Sequence, residues 1–141
     1  MANYYCVTRS NYFRVKDEAQ FREVMDRVIC DEDCLDIWED NSGVTKQFGF
    51  GGYASILGIV EADGDPDDYD YDTFVEELSK CVADDDAIII LEAGHEKLRY
   101  VTGLATVITS KGAKHLDIDC VAMNCARELL NNRGWYTSVN Y

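Results

Sequence analysis

The chain has 141 residues, 47% of them apolar and 11% aromatic, which suits one domain with a sizeable core and excludes a disordered acidic tail. Its 27 acidic side chains outnumber 13 basic ones, and the net charge of −14 argues against gripping nucleic acid through a basic surface or resting on anionic lipid. No apolar run approaches the ~20 residues of a membrane span. Met1 to Ser10 lack the charged-then-apolar layout of a secretory leader, so the expected setting is the cytoplasm.

Tyr4 to Thr8 read as a first strand, rich in aromatic and β-branched residues, and Tyr12 to Val15 as a short second one beyond a turn at Ser10-Asn11. Asp17 is placed to cap a helix, with Gln20 at its third position, close to a capping box. Phe21, Val24, Met25, Val28 and Ile29 recur at helical spacing, which predicts an amphipathic helix over 18–30. Cys34 to Trp38 alternates as a short strand, Asn41-Ser42-Gly43 turns the chain, and Val44 to Phe50 is the hairpin partner. Gly49-Phe50-Gly51-Gly52 predicts a bend or a close approach of two backbones, followed by extended chain from Tyr53 to Val60.

Ala62 to Asp72 is a loop of low complexity and contains the only proline, Pro66. Asp70 or Asp72 caps a second helix, with Phe74, Leu78, Cys81 and Val82 on its apolar stripe, and Asp84-Asp85-Asp86 is an acidic turn after it. Ala87 to Leu91 is a continuous apolar run, which predicts a central strand covered on both faces. Gly94 to Lys97 reads as a hairpin turn, and Leu98 to Thr109 as a long partner strand, bulged at Gly103 and ended by Lys111-Gly112. Asp117 or a neighbour caps a third helix over about 118–131, with Ile118, Val121, Ala122, Cys125 and Leu129 on a buried face. Gly134 stops it, and Trp135 to Tyr141 reads as a last strand. The expectation is a single α+β domain over 1–141, with an antiparallel or mixed sheet of six to eight strands and three helices mainly on one face.

Reactive side chains are present without a reactive pattern. The six cysteines (Cys6, Cys30, Cys34, Cys81, Cys120 and Cys125) lack paired C-x-x-C spacing and read as small buried thiols. His95 falls at the expected hairpin tip and His115 before a helix start, and no G-x-S-x-G elbow is present. The glycine cluster is not followed by Lys-Ser or Lys-Thr, so it is no phosphate cradle. Asp63, Asp65 and Asp67 alternate like the start of a calcium loop, but counting from Asp65 puts Asp70 where the turn glycine belongs. No enzyme activity, cofactor or metal is expected.

The charge is what stands out. Residues 1–16 carry a net +3, residues 17–86 a net −18 and residues 87–141 a net +1. Two runs dominate: Asp31, Glu32, Asp33, Asp36, Glu39 and Asp40, and a second from Glu61 through Asp63, Asp65, Asp67, Asp68, Asp70 and Asp72 to Glu76 and Glu77 and then Asp84, Asp85 and Asp86, with Tyr69 and Tyr71 among them. Carboxylates at this density repel one another, which a binding role would offset; the tyrosines would add apolar contact. If the two runs share a side, they form rows that could occupy a groove built for a polyanion.

In size, charge and single-domain character the chain resembles the small acidic anti-defence proteins of phages and mobile elements, the anti-restriction and anti-CRISPR inhibitors. NYFRVKD (11–17), FGFGGYASI (48–56) and GHEKLRYVTGLA (94–105) are similar to segments of proteins from such elements. The resemblance implies a nucleic-acid mimic that binds a basic nucleic-acid-binding protein or nuclease and not nucleic acid or membrane. It implies no topology, because these inhibitors have many unrelated folds. The competing class is an immunity-type or generic protein-interaction module, an enzyme on a small molecule ranks third, and a homodimer is left open.

Overall fold

A computed structural model describes residues 4–31 and 35–139. Eight strands and three helices follow one another as β1 (Tyr5–Ser10), α1 (Glu18–Asp26), β2 (Val28–Cys30), β3 (Asp36–Asp40), β4 (Gln47–Gly52), β5 (Ile56–Ile59), α2 (Tyr71–Cys81), β6 (Ile88–Glu96), β7 (Tyr100–Thr109), β8 (Gly112–Asp117) and α3 (Ile118–Leu130). Six strands form one antiparallel sheet in the order β3-β4-β1-β6-β7-β8, and β2 pairs with β5 in a small second sheet. The fold is α+β.

The core lies between the large sheet and a layer made of α1, α2 and β5. Phe13, Phe21, Phe48, Phe50 and Phe74 are fully or almost fully buried, joined by Leu78, Ile88 and Ile108. The rings meet edge-on or tilted, Phe13 to Phe21 at 5.5 Å and Phe21 to Phe48 at 5.1 Å between centroids, as aromatic quadrupoles prefer. A Cβ at Gly51 would lie 2.7 Å from the Thr8 carbonyl oxygen and 2.9 Å from the Trp38 ring, so this strand position admits no side chain. The glycine cluster thus lets β3, β4 and β1 approach closely.

All three expected caps form: Asp17, Asp70 and Asp117 accept backbone N–H groups at the starts of α1, α2 and α3. Several boundaries differ from the expectation. The first helix ends at Asp26, and Val28 to Cys30 leave it to pair with Ile56 to Ile59; β-branched Val28 and Ile29 satisfy a ladder as readily as a helical stripe. Tyr12 to Val15 make only isolated bridges, Phe13 to Phe48 and Val15 to Val82.

The run Ala87 to Leu91 is central but not covered twice: Ile88 and Ile90 are buried, while Ile89 and Leu91 are 40% and 54% exposed. The hairpin turns at 97–99, with Lys97 in the left-handed region, so Gly94 and His95 lie inside β6. The β6–β7 register passes Gly103 without a shift, so no bulge forms there. Strand β8 was not expected. All six of its residues are exposed, so it carries no burial pattern to read and is held by its ladder to β7. Residues 135–139 form no strand; the Trp135 carbonyl accepts from the Arg127 guanidinium at 2.7 Å instead. Asn131, with φ 51°, ends α3 in place of Gly134. No residue of α3 is buried, which overturns the expected buried face and leaves Cys120 and Cys125 exposed. Cys81 is buried as expected, and burial pushes its thiol up to about 11. No helix among the described residues is long and apolar enough to cross a membrane.

Candidate functional site: an ordered acidic loop

Much of the acidic excess finds basic partners once the chain folds. Arg14 and Lys16, from the basic first segment, pair with Asp85, Asp86 and Asp84, and the Asp86 carboxylate also accepts the Arg14 backbone N–H at 2.8 Å. Glu39 on β3 contacts Arg22 and Lys46, which also hold Glu18. Those two cations, Lys46 first, hold the Glu18 carboxyl below its usual range. The Ser42 hydroxyl and backbone N–H do the same for Asp40, which shapes the turn after β3. Asp31 accepts the Ser55 backbone N–H at 2.8 Å and pins the approach to β5.

The first part of the second run, the 61–70 loop, behaves differently. Residues 61–70 are exposed throughout, and among the described residues none of their carboxylates is in an ion pair. The loop is nevertheless held. Gly64 donates to the Glu61 carbonyl at 3.0 Å; the Asp65 side chain accepts the Asp67 N–H at 2.9 Å, and its carbonyl accepts the Asp68 N–H, also at 2.9 Å. Ile59 and Asp70 exchange backbone hydrogen bonds of 3.3 and 3.1 Å, which clamps both ends of the loop together. Gly58 makes this closure feasible: its φ is +147°, and a Cβ there would lie 2.4 Å from the Asp70 carbonyl carbon.

Asp70 then starts α2. Its carboxylate accepts the Thr73 hydroxyl at 2.6 Å and the Asp72 N–H at 3.3 Å, and these bonds, Thr73 first, hold it below the usual aspartate range. A depressed folded-state value adds stability that is complete at neutral pH and is lost as pH falls through that value. Asp70→Asn is therefore expected to be less stable than the parent at neutral pH, with the difference closing in acid. Paired urea titrations across that range test this; a difference that stays constant with pH would contradict it.

Within the first run the carboxylates of β3 do not form one row. Ile37 faces the core, so strand alternation sends Asp36 and Asp40 to the opposite face of β3 and Glu39 toward α1. The loop instead leaves β5 in the helix-containing layer. Among the described residues no hydrogen bond or ion pair joins it to the β3 carboxylates. Glu32 and Asp33 lie outside the described residues, as does Cys34. Tyr69 is half-exposed beside the loop aspartates, and Glu76 is exposed one helical turn beyond Asp72. Tyr71 points inward, its hydroxyl 2.8 Å from Thr106 Oγ1, and burial raises its pKa.

That inward turn borders a cavity of about 400 Å³, lined by Thr8, Glu92, Tyr71, Thr106, His115 and Asp117 among others, which sequence reasoning missed. Its residues come from six elements, and the only local signal was alternation in β6 and β7. Glu92 accepts Ser55 Oγ at 2.7 Å and the Tyr4 hydroxyl at 2.9 Å. Burial first, then Glu92, pushes Tyr4 up to about 12. Thr106 Oγ1 lies 3.3 Å from His115 Nδ1, but His115 Nε2 and Asp72 are 3.9 Å apart, too far for the hydrogen bond that would orient a catalytic base. His95 and Cys6 are neighbours in register, yet alternation sends them to opposite faces of the sheet. Among the described residues no three His, Cys, Asp or Glu side chains converge to hold a metal ion. No family model, curated protein or solved structure matches the chain.

Proposed function

We propose that the chain is an acidic protein-binding inhibitor, working in the cytoplasm, whose 61–70 loop occupies the basic groove of a nucleic-acid-binding protein or nuclease. One observation supports this most: Asp63, Asp65, Asp67 and Asp68 are exposed, turn-locked and without ion pairs among the described residues, while Glu39 and the Asp84–Asp86 turn have basic partners. A rigid block of unpaired charge costs stability through self-repulsion. It also loses little entropy on meeting cations and steers them in from a distance. The likeness to anti-restriction and anti-CRISPR inhibitors suggests a defence nuclease as target.

The split of the first run between two faces of β3, with Glu39 held by Arg22 and Lys46, favours a second reading, an immunity-type module that grips one basic partner through a compact patch of aspartates and Tyr69. The two are separated by capturing a basic partner on the immobilised chain at low salt and challenging it with duplex DNA and salt. Displacement by duplex, with collapse of binding between roughly 50 and 200 mM salt, supports the groove-occupying inhibitor. Retention through both challenges supports the immunity-type module, and failure to retain any basic protein contradicts both.

A further inference from the structure

Two apolar surfaces remain uncovered, both in the near-neutral last third of the chain or beside it. One is the outer face of the large sheet. The register sets Val7 beside Ala93, and Leu91 beside Ala105 and then Leu116, all on the face opposite the core. Val7, Leu91 and Leu116 are each about half exposed, and a groove of about 430 Å³ runs between Val107 and Leu116. The other is the stripe Ile118, Val121, Ala122, Cys125 and Leu129 on α3, in which Val121 is 50% and Leu129 83% exposed.

Neither surface can readily serve the other within one chain. Asp117 is both the last residue of β8 and the cap of α3, so no residue intervenes between strand and helix. A helix folding back over its own sheet ordinarily needs a connection of about 2–6 residues. Ile118 reaches Gly103, where a Cβ would meet its side chain at 2.8 Å, but the stripe beyond it stays bare. A 13-residue amphipathic helix is marginal in water unless its apolar face is packed.

We infer that α3 packs its stripe on the outer sheet face of a second copy of this chain, and receives that copy's helix in return, in a two-fold dimer. The area points the same way. The chain exposes 9308 Å², about 1,900 Å² more than the ~7,400 Å² expected of a compact monomer of this mass, and a stable interface needs only about 800 Å² from each partner. Charge also selects the copy's approach. Two chains at −14 repel, but residues 87–141 are at +1, and Lys114 on the outer sheet face is of opposite charge to Glu128 beside the stripe. This inference rests on the sheet face and α3, not on the acidic loop.

Sedimentation equilibrium of the full chain tests it. The expected mass is twice the 16.0 kDa of one chain. Val121→Glu in the helix and Leu91→Lys in the sheet should each weaken the dimer by roughly 100-fold, because each buries a charge against an apolar surface. Both positions are exposed in the single chain, so a cooperative urea transition should persist in each variant. A monomer at every concentration would overturn the inference and leave the face to a foreign partner. So would a dimer indifferent to L91K, which would mean helix-on-helix packing, or a ladder of larger species, which would mean contacts that do not close.

Discussion

Replacing Asp63, Asp65, Asp67 and Asp68 together by asparagine is expected to leave the fold intact and weaken binding of the captured basic partner by about 30- to 1,000-fold at low salt. The range follows from four exposed ion pairs worth about 0.5–1 kcal/mol each. Asparagine keeps the side-chain oxygen that accepts the Asp67 N–H, so the turn at Asp65 persists while its charge goes. Stability should hold or rise, because four mutually repelling groups without ion pairs are neutralised. Titration calorimetry with the captured partner, alongside urea denaturation of the free chain, reads both effects. Unchanged affinity with unchanged stability would show that the loop is only a solvated surface.

Phe50→Ala is expected to remove about 3–5 kcal/mol of stability, a large share of the 5–15 kcal/mol typical of such a domain. Phe50 is the joint of the aromatic core. Its ring meets Phe13 at 6.1 Å and Phe74 at 6.5 Å, and its strand neighbour is Ile37 on β3. Loss of the ring separates the cluster near α1 from that near α2, and the packed layers cannot close the void. The shift in urea midpoint at constant slope measures the effect. A loss below about 1 kcal/mol would mean that the core relaxes freely and that Phe50 is not its joint.

Local chemistry was legible in the sequence where it acts over a few residues. The three aspartate caps, the glycine-rich strand β4 and the boundaries of the proline-bearing loop follow from spacing alone. Distant partners decided the rest. Val28 and Ile29 fit a helical stripe and a strand equally, and the pairing with Ile56 to Ile59 decides between them. GAKHLD carries too little apolar alternation to announce β8, which exists because Leu104 to Thr109 offer a ladder. The stripe of α3 was legible as apolar, but periodicity cannot say what covers it. The same holds for charge: both acidic runs are plain in the sequence, yet only the fold shows that Arg14 and Lys16 pair with the 84–86 turn, Arg14 with Asp86 across 72 residues, and that the 61–70 loop stays bare.

The salt dependence of binding tests the central claim most directly. The logarithm of the affinity of the captured partner is measured against the logarithm of salt concentration, for the parent chain and for the four-asparagine variant. A steep fall for the parent, and a fall shallower by about the number of ion pairs removed for the variant, is the predicted result. Parallel lines for the two proteins would contradict it, because the contacts that respond to salt would then lie elsewhere on the molecule.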